Sequence, residues 1–148
     1  MDILYCWKRN KEVTNKSCDI THEEIALKRL FQTAHNHNVI LSCLYVDNKM
    51  IGFSIDEILD EGYAISHFIK GDINYRGVYE YMNVEVAQQL LISGAKFWNW
   101  EQDLNLEGLR QLKISYNPIN HLKSIVLPDP QPVVRNMKSC LNIIIYLE

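Results

Sequence analysis

Residues 99–118 read N-W-E-Q-D-L-N-L-E-G-L-R-Q-L-K-I-S-Y-N-P, and this stretch decides the fold class. It begins in a run of alternating aromatic and polar residues, as expected of a β-strand. Leu109, Leu112 and Tyr116 then fall at helical spacing, and Pro118 ends the predicted helix. A strand that leads directly into a helix is the building unit of α/β folds.

The stretches on either side of this unit also alternate between strand and helix patterns. Thr21 and Glu24 form a capping box, which predicts a helix that begins there and ends near Asn36 or Asn38. The turn Asp47-Asn48-Lys49 joins two β-rich runs and predicts a hairpin. In chain order, the sequence predicts a helix at 21–38, strands at 39–46, 50–58 and 62–70, a helix at 77–93, a strand at 95–101, a helix at 106–116, and strands at 122–127 and 141–147.

Strands interleaved with helices indicate one sheet covered by helices. Because a hairpin comes first, we expect an α/β fold with a mixed rather than a parallel sheet. In the third strand, alternation predicts one shared face for Tyr63, Ile65, His67 and Ile69. The Ile-rich end, Leu141–Leu147, would suit a strand exchanged between subunits or docked on a second repeat.

The composition is that of one soluble globular domain. With 47% hydrophobic and 22% charged residues, residues 1–148 can form a single domain, or one repeat of a larger two-repeat protein. The net charge of -3 gives no electrostatic reason for coating nucleic acid or anionic lipid. No apolar run approaches the roughly 20 residues of a transmembrane helix, and the start lacks signal-peptide order. Because the four cysteines have neither zinc nor disulfide spacing, we expect no metal and a cytoplasmic protein.

Four segments carry a resemblance to a known family. Within residues 99–118, an Asn-x-Glu-x-Asp strand end is followed by Gly-Leu-Arg, by a lysine three residues after the arginine, and by Tyr-x-Pro. The other segments are G-F-S-I-D-E-I-L (52–59), A-I-S-H-F-I-K (64–70) and R-G-V-Y-E-Y-M-N (76–83). Over roughly residues 22–127, the chain resembles the phosphatidylglycerol lysyltransferase C-terminal domain family.

This resemblance implies a GNAT-like fold of the acyl-CoA N-acyltransferase type, a mixed sheet flanked by helices. Some members of the family move an aminoacyl group from aminoacyl-tRNA to a lipid or to another amine or hydroxyl acceptor. Full-length members often hold two such repeats. The implied partners are a tRNA acceptor end and a small-molecule or lipid head-group acceptor. No cofactor is firmly implied, and aminoacyl-tRNA or acyl-CoA would serve as donor substrate.

Acyl transfer needs a base for the nucleophile and a hydrogen-bond donor for the developing oxyanion. Strand alternation places Asn99 and Glu101 on one face, and Trp98 and Trp100 on the other. Asp103 follows the strand end, where α/β folds usually bind ligands. Glu101 and Asp103 are therefore candidate catalytic residues that orient an amine or act as base. Alternatively, Asp103 caps the next helix and Glu101 pairs with a lysine.

Arg110 and Lys113 are neighbours along the predicted helix, and Lys113 falls beside its apolar stripe. An unpaired buried charge is costly, so this lysine needs a carboxylate or a ligand phosphate. Lys113 is the third candidate catalytic residue, with Glu101 or Asp103 as its internal partner, and Arg110 is a candidate substrate-binding residue. A salt bridge that locks helix to strand is the alternative.

The remaining candidate substrate-binding residues are Asn99, His67 and Tyr116. His67 lies in mid-strand on a predicted apolar face. A lone histidine in such a place is more often a hydrogen-bonded core residue than a base, so both interpretations stay open.

The loop after the third strand reads D-I-N-Y-R-G-V-Y (72–79). Acetyl-CoA-dependent members of the GNAT fold carry a Gln/Arg-x-x-Gly-x-Gly/Ala loop, whose backbone N–H groups hold the pyrophosphate at a helix N-terminus. Here Arg76 and Gly77 match, and they are the candidate phosphate-binding residues. The glycine pair is missing, which counts against acetyl-CoA. This favours aminoacyl-tRNA as donor, or a repeat that has lost its donor site.

Three functions therefore remain open. An aminoacyl-tRNA-dependent transferase predicts that the two carboxylates and two cations named above converge on an open pocket. An acetyl-CoA-dependent N-acetyltransferase predicts a splayed gap between the strands at 63–69 and 95–101, with free backbone donors near Arg76. A non-catalytic domain, supporting a second repeat, a homodimer or another partner, predicts that the four charged groups pair internally.

Overall fold

The computed structural model describes residues 20–103, 106–124 and 140–146. This part of the chain forms three α-helices and six strands, with single 3-10 turns at Ala34–Asn36 and Asp60–Gly62. In chain order they are α1 (Ile20–Thr33), β1 (Val39–Val46), β2 (Lys49–Ile58), β3 (Tyr63–Gly71), α2 (Val78–Ile92), β4 (Phe97–Gln102), α3 (Glu107–Ser115), β5 (Asn120–Ser124) and β6 (Cys140–Tyr146).

These elements confirm the predicted alternation of strands and helices. The hairpin turn is shorter than predicted: Asp47 and Asn48 both have positive φ, at 49° and 62°, and Lys49 already belongs to β2. Such a two-residue turn matches the right-handed twist of a hairpin. The first helix begins at Ile20, so Thr21 lies inside its first turn rather than at the predicted cap. Residues 125–127 of the predicted fifth strand lie outside the described residues.

The strands form one mixed sheet in the order β1-β2-β3-β4-β6-β5. Every neighbouring pair is antiparallel except β3 and β4, which are parallel and are connected through α2. The chain's own β6 lies between β4 and β5, so the Ile-rich end pairs within the sheet of this single chain, while its exchange between subunits or docking on a second repeat stays a prediction. β6 is rich in apolar residues because it lies inside the sheet, with a strand on either side.

Helices cover both faces of the sheet. Leu27 of α1 packs against Phe53 and Ile55 on one face, here called the α1 face. On the opposite α2 face, the largest core cluster comprises Ala64, Val86, Leu90, Ala95, Trp98 and Trp100. Both tryptophans of β4 thus lie on one face, as strand alternation predicts.

A β-bulge in β3 corrects the predicted face of that strand. Ile55 pairs with Phe68 and Asp56 pairs with Ser66, which leaves His67 as the extra residue. One extra residue reverses the alternation beyond it. Ile69 therefore packs with the cluster on the α2 face, so the prediction that it shares a face with the residues before the bulge is wrong.

Among the helices that the structure describes, none combines the length and the apolar character that crossing a membrane requires.

The packing of α2 can be tested with two adjacent leucines. Leu90 is 0% exposed in the main core cluster, whereas Leu91 is 42% exposed. We expect Leu90→Ala to lower the free energy of unfolding by about 2–5 kcal/mol, because it removes buried methyl groups and leaves a cavity. Leu91→Ala should cost far less in the same urea-unfolding measurement. Equal losses for the two variants would contradict the described orientation of α2.

Candidate active site

The parallel strands β3 and β4 separate towards their carboxyl ends. Their register pairs are Tyr63↔Phe97, Ala64↔Trp98 and Ile65↔Asn99, although β3 continues to Gly71 and β4 to Gln102. The strands therefore leave a wedge-shaped gap, called the β3–β4 gap below. This gap is where the sequence analysis expected splayed strands, and it lies at the sheet edge where α/β folds bind ligands.

A second bulge, in β4, places Glu101 at this gap. Against β6, Asn99 pairs with Ile144 and Gln102 with Asn142, so β4 contains one extra residue. Glu101 adopts φ 52°, which is uncommon for a residue other than glycine. The side-chain oxygen Oδ1 of Asn99 accepts a hydrogen bond of 2.8 Å from the Glu101 backbone N–H. Asn99, predicted to bind substrate, thus holds the bulge that presents Glu101.

His67 reaches across the β3–β4 gap to Glu101. Its Nδ1 lies 3.2 Å from Oε1 of Glu101, and its Nε2 lies 2.8 Å from Oε2 of Glu57. The hydrogen bond to Glu101, with that to Glu57, outweighs burial and raises the pKa of His67 to about 9. At neutral pH the ring is therefore a cation that donates from both nitrogens, which excludes the resting imidazole as a general base.

Glu57 is a functional candidate that the sequence analysis missed. The hydrogen bond from His67 lowers the pKa of Glu57, so its carboxylate stays charged beside that ring. The sequence does contain a signal, because the adjacent acids Asp56 and Glu57 interrupt an otherwise apolar strand pattern. Identifying the partner of Glu57 required the sheet register, which composition and periodicity do not provide.

Asp56 lies on the α2 face and is fully buried. Its carboxylate accepts hydrogen bonds from the hydroxyls of Ser54 and Ser66, and the indole Nε1 of Trp98 donates to Ser66 Oγ at 2.7 Å. Burial raises the pKa of Asp56. This network connects β2, β3 and β4 next to the last register pair before the β3–β4 gap opens.

Lys113 is buried against the end of β4. Its Nζ donates to the backbone carbonyl oxygens of Trp100, Glu101 and Gln102, the last two at 3.0 Å. The predicted hydrogen-bonding partner, a carboxylate or a phosphate, is thus replaced by three main-chain carbonyls. Burial lowers the pKa of Lys113 to about 8, opposed by the charges of Glu101 and Asp103. This lysine fastens α3 to the segment that presents Glu101.

Asp103 and Arg110 form an ion pair beside this contact. Nε of Arg110 donates to Oδ2 of Asp103 at 2.5 Å, and the Asp103 carboxylate is fully buried. The backbone carbonyl of Asp103 accepts a hydrogen bond from Leu106 N at the start of α3. The two carboxylates and two cations therefore do not converge on one pocket: Glu101 lies at the gap, and the buried Asp103 and Lys113 lie behind it with the partly exposed Arg110.

Tyr116 lies on the other side of β4 from Glu101. Its ring packs edge-on against Trp100 at a centroid distance of 4.7 Å, and its hydroxyl accepts a hydrogen bond from Asn83 Nδ2 at 3.2 Å. The structure thus places this predicted substrate-binding residue in the core of the α2 face.

The loop between β3 and α2 turns inward around a carboxylate. Asp72 Oδ1 accepts hydrogen bonds from the backbone and the side chain of Asn74, and Lys49 Nζ donates to Oδ2 at 3.1 Å. Gly77 immediately precedes α2 as its N-cap and has φ 81°, a conformation that glycine adopts without strain. Arg76, beside it, is exposed.

A separate groove of about 340 Å³ lies between β1 and α2, lined in part by Ile40, Leu44, Tyr81 and Val86. None of the predicted site residues lines this groove.

The charge of His67 predicts a pH dependence of stability. Because the folded pKa of about 9 exceeds the ordinary value of 6.5, stability from this group is complete below pH 6.5 and declines as pH rises through about 9. We therefore expect the free energy of unfolding to fall as the pH rises from 6.5 to 8. This range lies below the pKa of Lys113, so the ionisation of that lysine does not add to the slope.

Urea unfolding at intervals across that range measures the slope. His67→Gln should flatten it, whereas His35→Gln, at an exposed histidine, should retain it. An equally steep slope in His67→Gln would assign the effect to another group.

The contact of Lys113 can be tested by Lys113→Met, which keeps the length of the side chain but removes the donors. Because buried carbonyls lose their partner, we expect a loss of about 1–3 kcal/mol in the free energy of unfolding at pH 7. Lys28→Met, at an exposed lysine of α1, should change it by less than about 0.5 kcal/mol. A Lys113→Met variant as stable as the native chain would show that the contact contributes little.

The same architecture is found in other proteins. Solved structures with the same fold include a GNAT-family acetyltransferase from Staphylococcus aureus Mu50, at 15% identity and TM-score 0.63, covering 99% of this chain and 90% of that one. The PaiA N-acetyltransferase from Thermoplasma acidophilum, in complex with coenzyme A, shares 13% identity at TM-score 0.58, covering 97% and 87%. The ribosomal-protein-S18-alanine N-acetyltransferase from Escherichia coli shares 14% identity at TM-score 0.57, covering 80% and 76%.

These likenesses establish the GNAT fold, a mixed sheet flanked by helices, as the sequence resemblance implied. No curated protein matches the sequence. Residues 3–127 match the family described as "Phosphatidylglycerol lysyltransferase, C-terminal", a match that begins well before residue 22, where the resemblance was first drawn. Because this match spans most of the chain, the protein belongs to the phosphatidylglycerol lysyltransferase C-terminal family and is an acyltransferase-type domain.

Proposed function

We propose that this domain transfers an aminoacyl group from aminoacyl-tRNA to an amine or hydroxyl acceptor at the β3–β4 gap. The observation that carries the proposal is the position of Glu101. Its side chain is 46% exposed at the open end of the gap and is held there by a bulge, by Asn99 and by His67. A carboxylate so placed can orient an amine and accept a proton from the attacking nucleophile.

The reaction balances without a further reactant. The nucleophilic nitrogen or oxygen forms a bond to the acyl carbon, and the ester bond to the ribose oxygen breaks. The proton that the nucleophile loses passes to Glu101 and is returned to the ribose oxygen. Protonated His67 beside Glu101 supplies positive charge where the acyl oxygen becomes negative.

The loop at 72–77 supports an aminoacyl-tRNA donor over acetyl-CoA. The backbone N–H groups of Asn74 and Tyr75 both donate to Asp72, one to its carboxylate and one to its carbonyl. These two N–H groups are therefore not available to a pyrophosphate, and the buried Asp72 carboxylate places negative charge in the loop. Arg76 and Gly77 would then contact a phosphate of the tRNA end at most from outside this turn.

We assign Asp103, Arg110 and Lys113 to the support of Glu101. Their described contacts connect α3 to the end of β4, so they hold the catalytic segment in place rather than contact the donor. Tyr116 supports the same strand from the core.

Two other functions each have an observation in their favour. Acetyl-CoA-dependent transfer is favoured by the β3–β4 gap itself and by the coenzyme A in the solved PaiA structure. A non-catalytic domain is favoured by the internal partners of Asp103 and Lys113. A second repeat or a homodimer would supply missing parts of an acceptor site, for a lipid head group or a small molecule. Aminoacyl-tRNA as donor implies a cytoplasmic location.

A thermal-shift experiment separates these functions. The probes are acetyl-CoA, coenzyme A, and a lysyl-adenosine whose aminoacyl group is joined by a non-hydrolysable amide. A ligand at about 100 times its Kd stabilises the native state by about 2.7 kcal/mol, so we expect the adenosine analogue to raise Tm by several degrees. Glu101→Gln should abolish this rise, whereas Glu61→Gln, at an exposed acid, should retain it.

A rise with acetyl-CoA would instead support N-acetyltransfer. A domain that none of the probes stabilises would support the non-catalytic function.

A further inference from the structure

Glu57 occupies the centre of a chain of charged side chains on the α1 face. Its Oε1 lies 2.9 Å from Nδ1 of His37, and its Oε2 lies 2.8 Å from Nε2 of His67. Both oxygens of the carboxylate thus contact an imidazole, and the side chain is only 18% exposed. Since β2 is paired on both sides, with β1 and with β3, Glu57 has a rigid backbone support.

His67 needs this support because of its place in β3. As the extra residue of the bulge, it has no register partner on β2 to orient it. Its contact with Glu57 is the shorter of its two, at 2.8 Å against 3.2 Å to Glu101. Glu57 is also better buried than Glu101. The contact with Glu57 therefore fixes the position of the His67 ring, and the contact with Glu101 crosses the β3–β4 gap.

Building on the function proposed above, we propose that Glu57 is a positioning residue, which holds the His67 ring across the open end of the β3–β4 gap and so orients the Glu101 carboxylate toward the reacting amine. Glu57 acts through His67 and makes or breaks no bond itself. Three strands contribute one residue each to this device: β2 gives Glu57, β3 gives His67 and β4 gives Glu101.

The charged groups around His67 determine how removal of the Glu57 carboxylate would change the pKa and the orientation of the His67 ring. Glu101 faces the ring from β4, Glu57 from β2, and the Asp56 carboxyl acts on it from the α2 face, while His37 shares the Glu57 carboxylate. Glu57→Gln keeps the shape of the side chain and removes one negative charge next to the ring. His67 should then release its proton at lower pH, and its ring should lose its fixed orientation.

The experiment combines two measurements on the native domain and on Glu57→Gln, Glu57→Asp and Glu61→Gln. NMR titration of the histidine rings gives the midpoint of His67, and calorimetry gives the affinity for the lysyl-adenosine amide. We expect Glu57→Gln to lower the midpoint by about 1 pH unit and to weaken binding about tenfold. Glu57→Asp keeps the charge on a shorter side chain, so both values should lie between native and Glu57→Gln. Glu61→Gln should leave both unchanged.

An unchanged His67 midpoint in Glu57→Gln would overturn the positioning role. So would a lowered midpoint together with native affinity, because the contact would then be structural only. If the native domain binds no analogue, the proposed function fails, while the titration still decides whether Glu57 holds His67. If Glu57→Gln does not fold, the intermediate values expected of Glu57→Asp carry the test.

Discussion

The candidate site depends on the hydrogen bonds that one buried ammonium group, that of Lys113, donates to backbone carbonyl groups at the end of β4. A bulge takes residues 100 and 101 out of the regular ladder, and carbonyl groups that leave a ladder need other donors. Lys113 supplies them from α3, and the Asp103–Arg110 pair fastens the same helix and strand at a second point. Glu101 can keep a left-handed backbone conformation because the structure on both sides of it is fixed.

Each face of the sheet carries a hydrogen-bond network beside the β3–β4 gap. On the α2 face, the buried carboxyl of Asp56 and the indole of Trp98 connect strands β2, β3 and β4 through Ser66. On the α1 face, His67 spans the same strands between two carboxylates. The Asp56 network is buried, whereas the side chains of His67 and Glu101 are partly exposed, so a ligand can reach the second network. This difference is the reason that the proposed reaction is placed on the α1 face.

The sequence predicted the order of the elements well because apolar spacing and turn residues are local signals. The hairpin, the helix before Gly94 and the helix before Pro118 all follow from neighbours within a few residues. Bulges are not local in this sense, since each is defined by the partner strand. The predicted face of Ile69 was therefore wrong.

The same limit applies to the site residues. Glu101 and Lys113 were identified from spacing and family resemblance, but the carbonyl partners of Lys113 follow from the β4 bulge. Glu57 was missed because its contact with His67 comes from the register between β2 and β3.

The position of β6 between β4 and β5 also constrains when the domain can assemble. β5 is made first, but among the described strands it pairs with β6 alone, which is made later. During synthesis on the ribosome, the edge of β4 therefore waits, unpaired on that side, until residues 140–146 have emerged. The sheet therefore cannot close on this side before β6 has been made, and until then the unpaired β4 edge is open to pairing with other strands.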